Sequence, residues 1–379
     1  MLSLPPELWI EVFQWITSPA YPYYTTKCEP FQTCSQKDLD EVLRVKYNLI
    51  LVCRQWRAMA EDLFYSDLRI RHGDENLAKV LEKSKVRGRW VRRVELPYTA
   101  TTTATVQPLP SLAILKNCSQ LQVLVRPPNK HESLRFEFGI GELHFQSLKR
   151  LEWWYDSHAA QSGGINSLDH VLAGSPKLQY LSLGGELRPN RLKPPRQLPL
   201  VSVVRLGAKM NALFLRQVCQ WTLPSLVHIV VDYSPGASIM EMLWDKFGSQ
   251  LQFVELGQHL RFLVEDHLTP IFRHCPNLLE LNYYVVFTTP PFQSVEHSSL
   301  QTLRLHGNPN EMLTAIDVWI HVERHFDLFT GASLPNLQRI ILYGDWSSIL
   351  SNYRFANIHC ALNTRGCNLE LPDGRILSH

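Results

Sequence analysis

Leu251-Gln252-Phe253-Val254-Glu255-Leu256, Leu278-Leu279-Glu280-Leu281-Asn282-Tyr283 and Leu300-Gln301-Thr302-Leu303-Arg304-Leu305 are three versions of one phrase. Each has an apolar residue at its first, fourth and sixth positions. The phrase recurs as VRRVEL from Val91, LQVLVR from Leu121, LKRLEW from Leu148, LQYLSL from Leu178, VSVVRL from Val201, LVHIVV from Leu226 and LQRIIL from Leu337. Successive first positions lie 30, 27, 30, 23, 25, 25, 27, 22 and 37 residues apart, so the last gap holds an insertion within 307–333. Self-similarity at this period marks stacked units, none of which can bury its apolar face alone.

Within a phrase the side chains alternate, as in a strand. Positions one, four and six point inward; positions three, five and seven point to the other face. Helical stretches fall between the phrases, at Ser111–Asn117, Ser167–Ala173, Ala212–Trp221, Ala237–Phe247 and Asp266–His274. A small residue or Cys recurs about three residues before a phrase, at Cys118, Ser175, Gly248, Cys275 and Ser298. Pro follows at Pro176 and Pro276 and marks the helix exit. The expected fold class is α/β, a solenoid whose concave face is a parallel sheet. An ordinary α/β sheet is the alternative.

Residues 91–345 resemble about ten irregular leucine-rich repeats, with residues 346–379 expected as a C-terminal cap. The chain departs from that family in one respect. The family's Asn or Cys three residues after the sixth position is mostly missing, as in the GGELRP that follows LQYLSL. That residue ties the turn backbone, so less regular turns are expected.

The N-terminal stretch is more specific. Leu4-Pro5-Pro6-Glu7-Leu8-Trp9-Ile10-Glu11-Val12-Phe13 starts a helix, with Pro suited to its first turn and Glu7 to its N-terminal dipole. Leu8, Val12, Trp15 and Ile16 share one helical stripe. Leu51-Val52-Cys53-Arg54-Gln55-Trp56-Arg57 follows, and Leu63-Phe64-Tyr65 closes the element. Together these resemble an F-box over residues 1–66, a three-helix module. An insertion at about 17–37 lengthens it, as in the expanded F-box families of fungi. Residues 67–90 read as a linker.

The resemblance implies an adaptor role. The module would dock a Skp-type adaptor and, through it, a cullin. The repeats would hold a protein target, making the chain a substrate-recognition subunit of an SCF-type ubiquitin ligase. The chain would contribute proximity and no covalent chemistry. The alternative is an F-box and repeat interaction protein that acts without target degradation. Adaptor-contact candidates are Leu4, Pro5, Leu8, Val12, Phe13, Val52, Cys53 and Trp56. Target-contact candidates on the concave face are Glu152, Trp154, Tyr180, Arg205, Asp232, Glu255, Tyr284, Arg304 and His306, a mixture of charge and aromatics suited to a protein.

Other clusters have plainer readings. Lys83-Ser84-Lys85-Val86-Arg87-Gly88-Arg89-Trp90-Val91-Arg92-Arg93 carries six basic residues in eleven, either a solvated face or a dock for a phosphorylated target. His321 and His325 are four apart, but Glu323 is misplaced for a metalloprotease motif and no third ligand is spaced for zinc. No phosphate-binding loop, nucleophile elbow or complete dinucleotide loop is present, Gly139-Ile140-Gly141 stopping short. No cofactor and no metal are expected.

Composition agrees with a globular, non-membrane chain. Hydrophobic residues make up 45% of the 379 and charged residues 19%. With 38 Lys and Arg against 35 Asp and Glu, the net charge of +3 gives no ground for a nucleic-acid partner. No apolar run is long enough to cross a membrane, and the first residues do not read as a secretory signal. The expected place is the cytoplasm, the nucleus or both, with the eight cysteines mostly thiols.

Overall fold

Burial follows the phrase. In a computed structural model of the chain, Leu121, Leu124, Leu148, Leu151, Leu178, Leu181 and Leu183 are all buried, as are their counterparts from Val201 to Leu342. Large apolar side chains at positions one, four and six make one continuous apolar layer behind each strand. The structure describes residues 4–18, 26, 28–32, 36–70, 75–96, 111–128, 144–161, 163–187, 195–234, 236–257, 259–260, 266–291, 295–307 and 318–377.

The chain divides into two compact units, Met1–Arg188 and Pro189–His379. The first begins with helices α1 (Pro6–Thr17), α2 (Gln36–Val52) and α3 (Arg54–Tyr65). It continues with β1 (Asp67–Arg69), α4 (Glu75–Lys83), α5 (Lys85–Trp90), β2 (Arg93–Glu95), α6 (Ser111–Lys116) and β3 (Val123–Arg126). β4 (Arg150–Tyr155), α7 (Ser157–Gln161), α8 (Leu168–Ala173) and β5 (Tyr180–Gly185) complete it.

The second unit alternates more regularly: β6 (Val203–Leu206), α9 (Ala212–Cys219), β7 (His228–Val231), α10 (Ala237–Phe247), β8 (Phe253–Leu256), α11 (Leu268–His274) and β9 (Glu280–Tyr284). Then come β10 (Thr302–Gly307), α12 (Val318–Thr330), β11 (Arg339–Gly344), α13 (Ser347–Leu350), α14 (Phe355–Thr364) and β12 (Asn368–Glu370).

Within each unit every strand pairs in parallel with its sequence neighbour. The register keeps phrase positions aligned: Val123 faces Arg150, which faces Tyr180, and His228 faces Phe253, which faces Glu280. An α/β fold with open parallel sheet in strict sequence order is solenoid-like, not doubly wound.

Two stretches carry more structure than the sequence reading gives them. Residues 67–90 are no simple linker, because they carry β1, α4 and α5. Tyr65-Ser66-Asp67-Leu68-Arg69-Ile70 is a further phrase, with Leu68 and Ile70 buried. Residues 346–379 likewise include a strand, β12, paired with β11. Beyond it the tail turns back, and the Leu377 amide donates to the Leu369 carbonyl at 2.8 Å. That return covers the last strand's edge, as a cap must.

The turns that enter the strands carry recurrent ties. The residue just before a phrase often donates its side chain to a backbone carbonyl of the preceding repeat. Ser225 reaches Pro199 at 2.6 Å, Asn277 reaches Ser249 at 2.7 Å and Asn336 reaches Ser298 at 2.6 Å. The tie precedes the strand, not follows it. A second recurrent bond runs from the first-position amide to the carbonyl three residues earlier, as in Leu278 to Cys275 and Leu251 to Gly248, both 3.1 Å. Space is short there: a Cβ on Gly248 would stand 2.3 Å from the His274 carbonyl oxygen.

One interior position breaks the pattern. Arg126 occupies the sixth position of its phrase and is buried. Its Nη2 donates to the Ile165 carbonyl at 2.9 Å and to Asn166 Oδ1 at 2.6 Å, and its guanidinium lies 4.6 Å from the Trp153 ring centre. Hydrogen bonds and an aromatic face make a buried cation tolerable.

Candidate functional site: an apolar stripe and a self-paired sheet face

Three aromatic rings fill the interior of the helical module. Trp56 lies 4.8 Å from Phe13 and 5.0 Å from Trp9, centre to centre. Leu49 and Ala60 are buried with Phe13, and Val45, Met59 and Leu63 pack around them. An interior this small is full with one face of each helix. What remains apolar on the outside is surplus to folding.

That surplus is large. Leu8, Val12, Trp15 and Ile16 all face outward from α1, and Trp15 is 85% exposed. At the end of α2, Leu51 is 62% exposed and Val52 59%. Leu4 and Pro5 are exposed too. Exposed apolar side chains clustered on one small element mark an interaction face. Glu7 and Glu11 on α1 and Arg54 and Arg57 on α3 give this module exposed charges of both signs.

The adaptor-contact candidates therefore divide. Leu4, Pro5, Leu8, Val12, Val52 and Cys53 are exposed, as a contact requires. Cys53 also caps α3, its Sγ accepting from the Trp56 amide at 3.4 Å. Phe13 is fully buried and Trp56 belongs to the inner trio, so both are corrected to core residues. Trp15, Ile16 and Leu51 are exposed apolar residues outside the candidate set. The 3.6 period put Trp15 and Ile16 on a stripe but says nothing about which way a stripe faces.

The module is fused to the first repeat. Buried Lys46 donates Nζ to Ser66 Oγ at 3.0 Å, and burial lowers its pKa. Arg87 grips Glu61 through Nη2 at 2.7 Å and Nε at 3.1 Å, with its guanidinium 5.4 Å from the Tyr65 ring centre. Arg69 pairs with Asp40. From the insertion, Phe31 and Gln32 are buried.

The sheet face made by positions three, five and seven is paired with itself. Arg93 binds Asp67 at 2.8 Å and Arg150 binds Glu152 at 2.7 Å. Arg205 holds Asp232 at 2.5 and 3.0 Å. Arg304 holds Glu280 at 2.8 and 3.1 Å and donates to the Tyr343 hydroxyl at 3.0 Å. Arg339 meets Glu370 at 3.0 Å. Parallel register brings these charges opposite or diagonal to each other, where long side chains meet.

Four of the target-contact candidates are consequently buried: Tyr180, Asp232, Glu255 and Tyr284. The expectation that they are exposed is corrected. Arg150 lies 4.0 Å from the Tyr180 ring centre, Asn282 Nδ2 donates to Glu255 at 3.3 Å, and Tyr284 stacks on His306 at 4.4 Å. Glu152, Trp154, Arg205, Arg304 and His306 remain half-buried.

The two α12 histidines have structural partners. His325 is buried between the Tyr283 hydroxyl, which donates to its Nδ1 at 3.0 Å, and the Thr288 carbonyl, which accepts from its Nε2 at 2.9 Å. That pattern needs the neutral ring, and burial, with His321 nearby, pushes its pKa down to about 3. His321 bonds the Val285 carbonyl at 2.8 Å. Among the described residues no cluster of potential ligands could hold a metal ion. Burial likewise pushes the Cys118 and Cys275 thiols up to about 12, which keeps them protonated. Among the described residues no helix is long and apolar enough to cross a membrane.

No family model matches the chain, and no curated protein is detectably similar to it. Among solved structures, a Bacteroides fragilis protein determined as a structural-genomics target is 11% identical. It aligns over 82% of this chain and 74% of its own, with a TM-score of 0.35.

Proposed function

We propose that this chain is the substrate-recognition subunit of an SCF-type ubiquitin ligase, with its first helices acting as an F-box and its strands as irregular leucine-rich repeats. The observation that carries the reading is the outward apolar stripe of α1 and the end of α2, on a module whose own interior is already filled. The adaptor seats on Leu8, Val12, Trp15, Leu51 and Val52. Protein interfaces of this kind place apolar and aromatic anchors centrally, with charge around them. The protein target is held on the sheet face through the half-buried Glu152, Trp154, Arg205, Arg304 and His306. The chain acts by raising the effective concentration of ubiquitin donor at the target.

The test is capture of the adaptor and cullin by the tagged chain, beside a Leu8→Asp, Trp15→Asp variant. Both positions are exposed, so this variant folds where one at Trp56 would damage the core. Adaptor and cullin with the wild type alone support the reading. Capture of neither, or equal capture by both, refutes it. Capture without any change in target half-life supports adaptor docking and favours the non-degradative alternative.

A further inference from the structure

The strong cations of the sheet face are neutralised by carboxylates. A group on α4, α5 and α6 is not. Lys79 and Lys83 on α4, Lys85 and Arg89 on α5, and Lys116 at the end of α6 are all exposed. None of them forms an ion pair with a described residue. Their elements are packed together: α4 lies against both α5 and α6. α5 touches the end of α6 so closely that a Cβ on Gly88 would stand 2.2 Å from the Asn117 carbonyl oxygen. That contact brings the C-terminal end of α6 against α5.

Exposed Glu82 on α4 is a carboxylate beside this group, and the five cations outnumber it. Lys79 and Lys83 are four residues apart on one helix, as are Lys85 and Arg89. Like charges at that spacing repel and disfavour their helix. The run's other arginines are used internally, Arg87 by Glu61, Arg92 by the Gln120 carbonyl at 3.3 Å and Arg93 by Asp67. Among the cations left over sits Val86, 55% exposed, one turn from Arg89.

We infer that α4, α5 and α6 form a second docking surface, for an acidic polypeptide segment that carries an apolar side chain. Carboxylates answer the five cations, and the apolar side chain covers Val86. A nucleic acid fits less well. The neighbouring aromatic, Trp90, is half-buried with its ring centre 6.4 Å from that of Tyr65, so it offers no stacking platform. A lipid surface fits less well because Val86 stands alone among the cations. The inference stands on charge and packing and does not rest on the adaptor reading.

The test uses the full chain and fluorescence anisotropy. The probes are a labelled twelve-residue Asp/Glu peptide with one central Leu, the same peptide with Gly there, a dT oligonucleotide of equal length, and phosphatidylserine vesicles. The Leu peptide binds at 50 mM NaCl and weakens about tenfold at 150 mM, as screened charge contacts do. Lys85→Glu, Arg89→Glu, Lys116→Glu weakens it at least about tenfold, and the Gln versions weaken it less, in the same direction. Lys149→Glu, Lys177→Glu, Lys246→Glu, an equal charge change on exposed sites elsewhere, stays within about twofold. Val86→Ser abolishes the preference for Leu over Gly. An equal loss in the control variant, no binding at 50 mM, or tighter binding of the oligonucleotide or vesicles through these residues overturns the inference. The Leu8→Asp, Trp15→Asp variant binds the peptide as the wild type does, which separates failure of this surface from failure of the adaptor reading.

Discussion

The helical module and the sheet face solve opposite problems with similar residues. Each carries aromatics and both signs of charge. On the sheet face, register sets Arg beside Asp or Glu and stacks Tyr284 on His306, so much of the chemistry is satisfied internally. On the module, Trp9, Phe13 and Trp56 fill the interior and leave Trp15 outside. Exposure after internal pairing, not residue type, separates a surface that awaits a partner from one that stabilises the fold.

The largest effect should come from exchanging aromatics within the module. Phe13→Ala should lower stability by about 4 kcal/mol, because it opens a cavity in a small interior. Trp15→Ala should change it by no more than about 0.5 kcal/mol. Urea denaturation of both variants measures the gap, and a similar loss in both would break the comparison.

The buried pairs of the sheet face come next. Asp67→Ala leaves Arg93 buried without its nearest carboxylate and should lose about 3 kcal/mol. If chemical denaturation shows less than about 1 kcal/mol, pairing on this face is incidental.

A smaller effect follows from pH. His325 titrates at about 3 in the folded chain against an ordinary value near 6.5. His228 is pushed down to about 4 by burial and by Arg205. The unfolded chain therefore takes up these protons first as pH falls. Stability is full above about 6.5 and declines below it, by about 2 kcal/mol for His325 alone at pH 5. Thermal melts across that range should show the decline, and His325→Gln should flatten it while lowering Tm at pH 7. A loss smaller than that at Asp67 is expected at Arg304→Ala, about 1 kcal/mol, because its pair with Glu280 is partly solvated.

Much of this architecture is legible along the chain, for identifiable reasons. Leu, Val or Ile at positions one, four and six repeats often enough to fix register without coordinates. The helix over 237–247 has the bounds its pattern predicts, and that over 212–219 ends two residues early. β1 and β12 are hidden because Tyr65 and Gly366 stand where the phrase expects an aliphatic residue. The burial of Glu255 and Tyr284 is hidden for another reason. Their partners Asn282 and His306 come from the next strand, and pairing between strands is not written in local spacing. Phe13 is a contact candidate through the resemblance, which does not separate inward from outward positions, and the helical period that sets Trp15 on a stripe leaves the stripe's direction open.

The most direct test is calorimetric titration of the purified chain with a purified Skp-type adaptor, comparing wild type with the Leu8→Asp, Trp15→Asp variant. The account predicts a stoichiometric complex with the wild type and at least about a hundredfold weaker binding by the variant, with an unchanged melting profile. Undiminished binding by the variant, or no binding by the wild type, would contradict it.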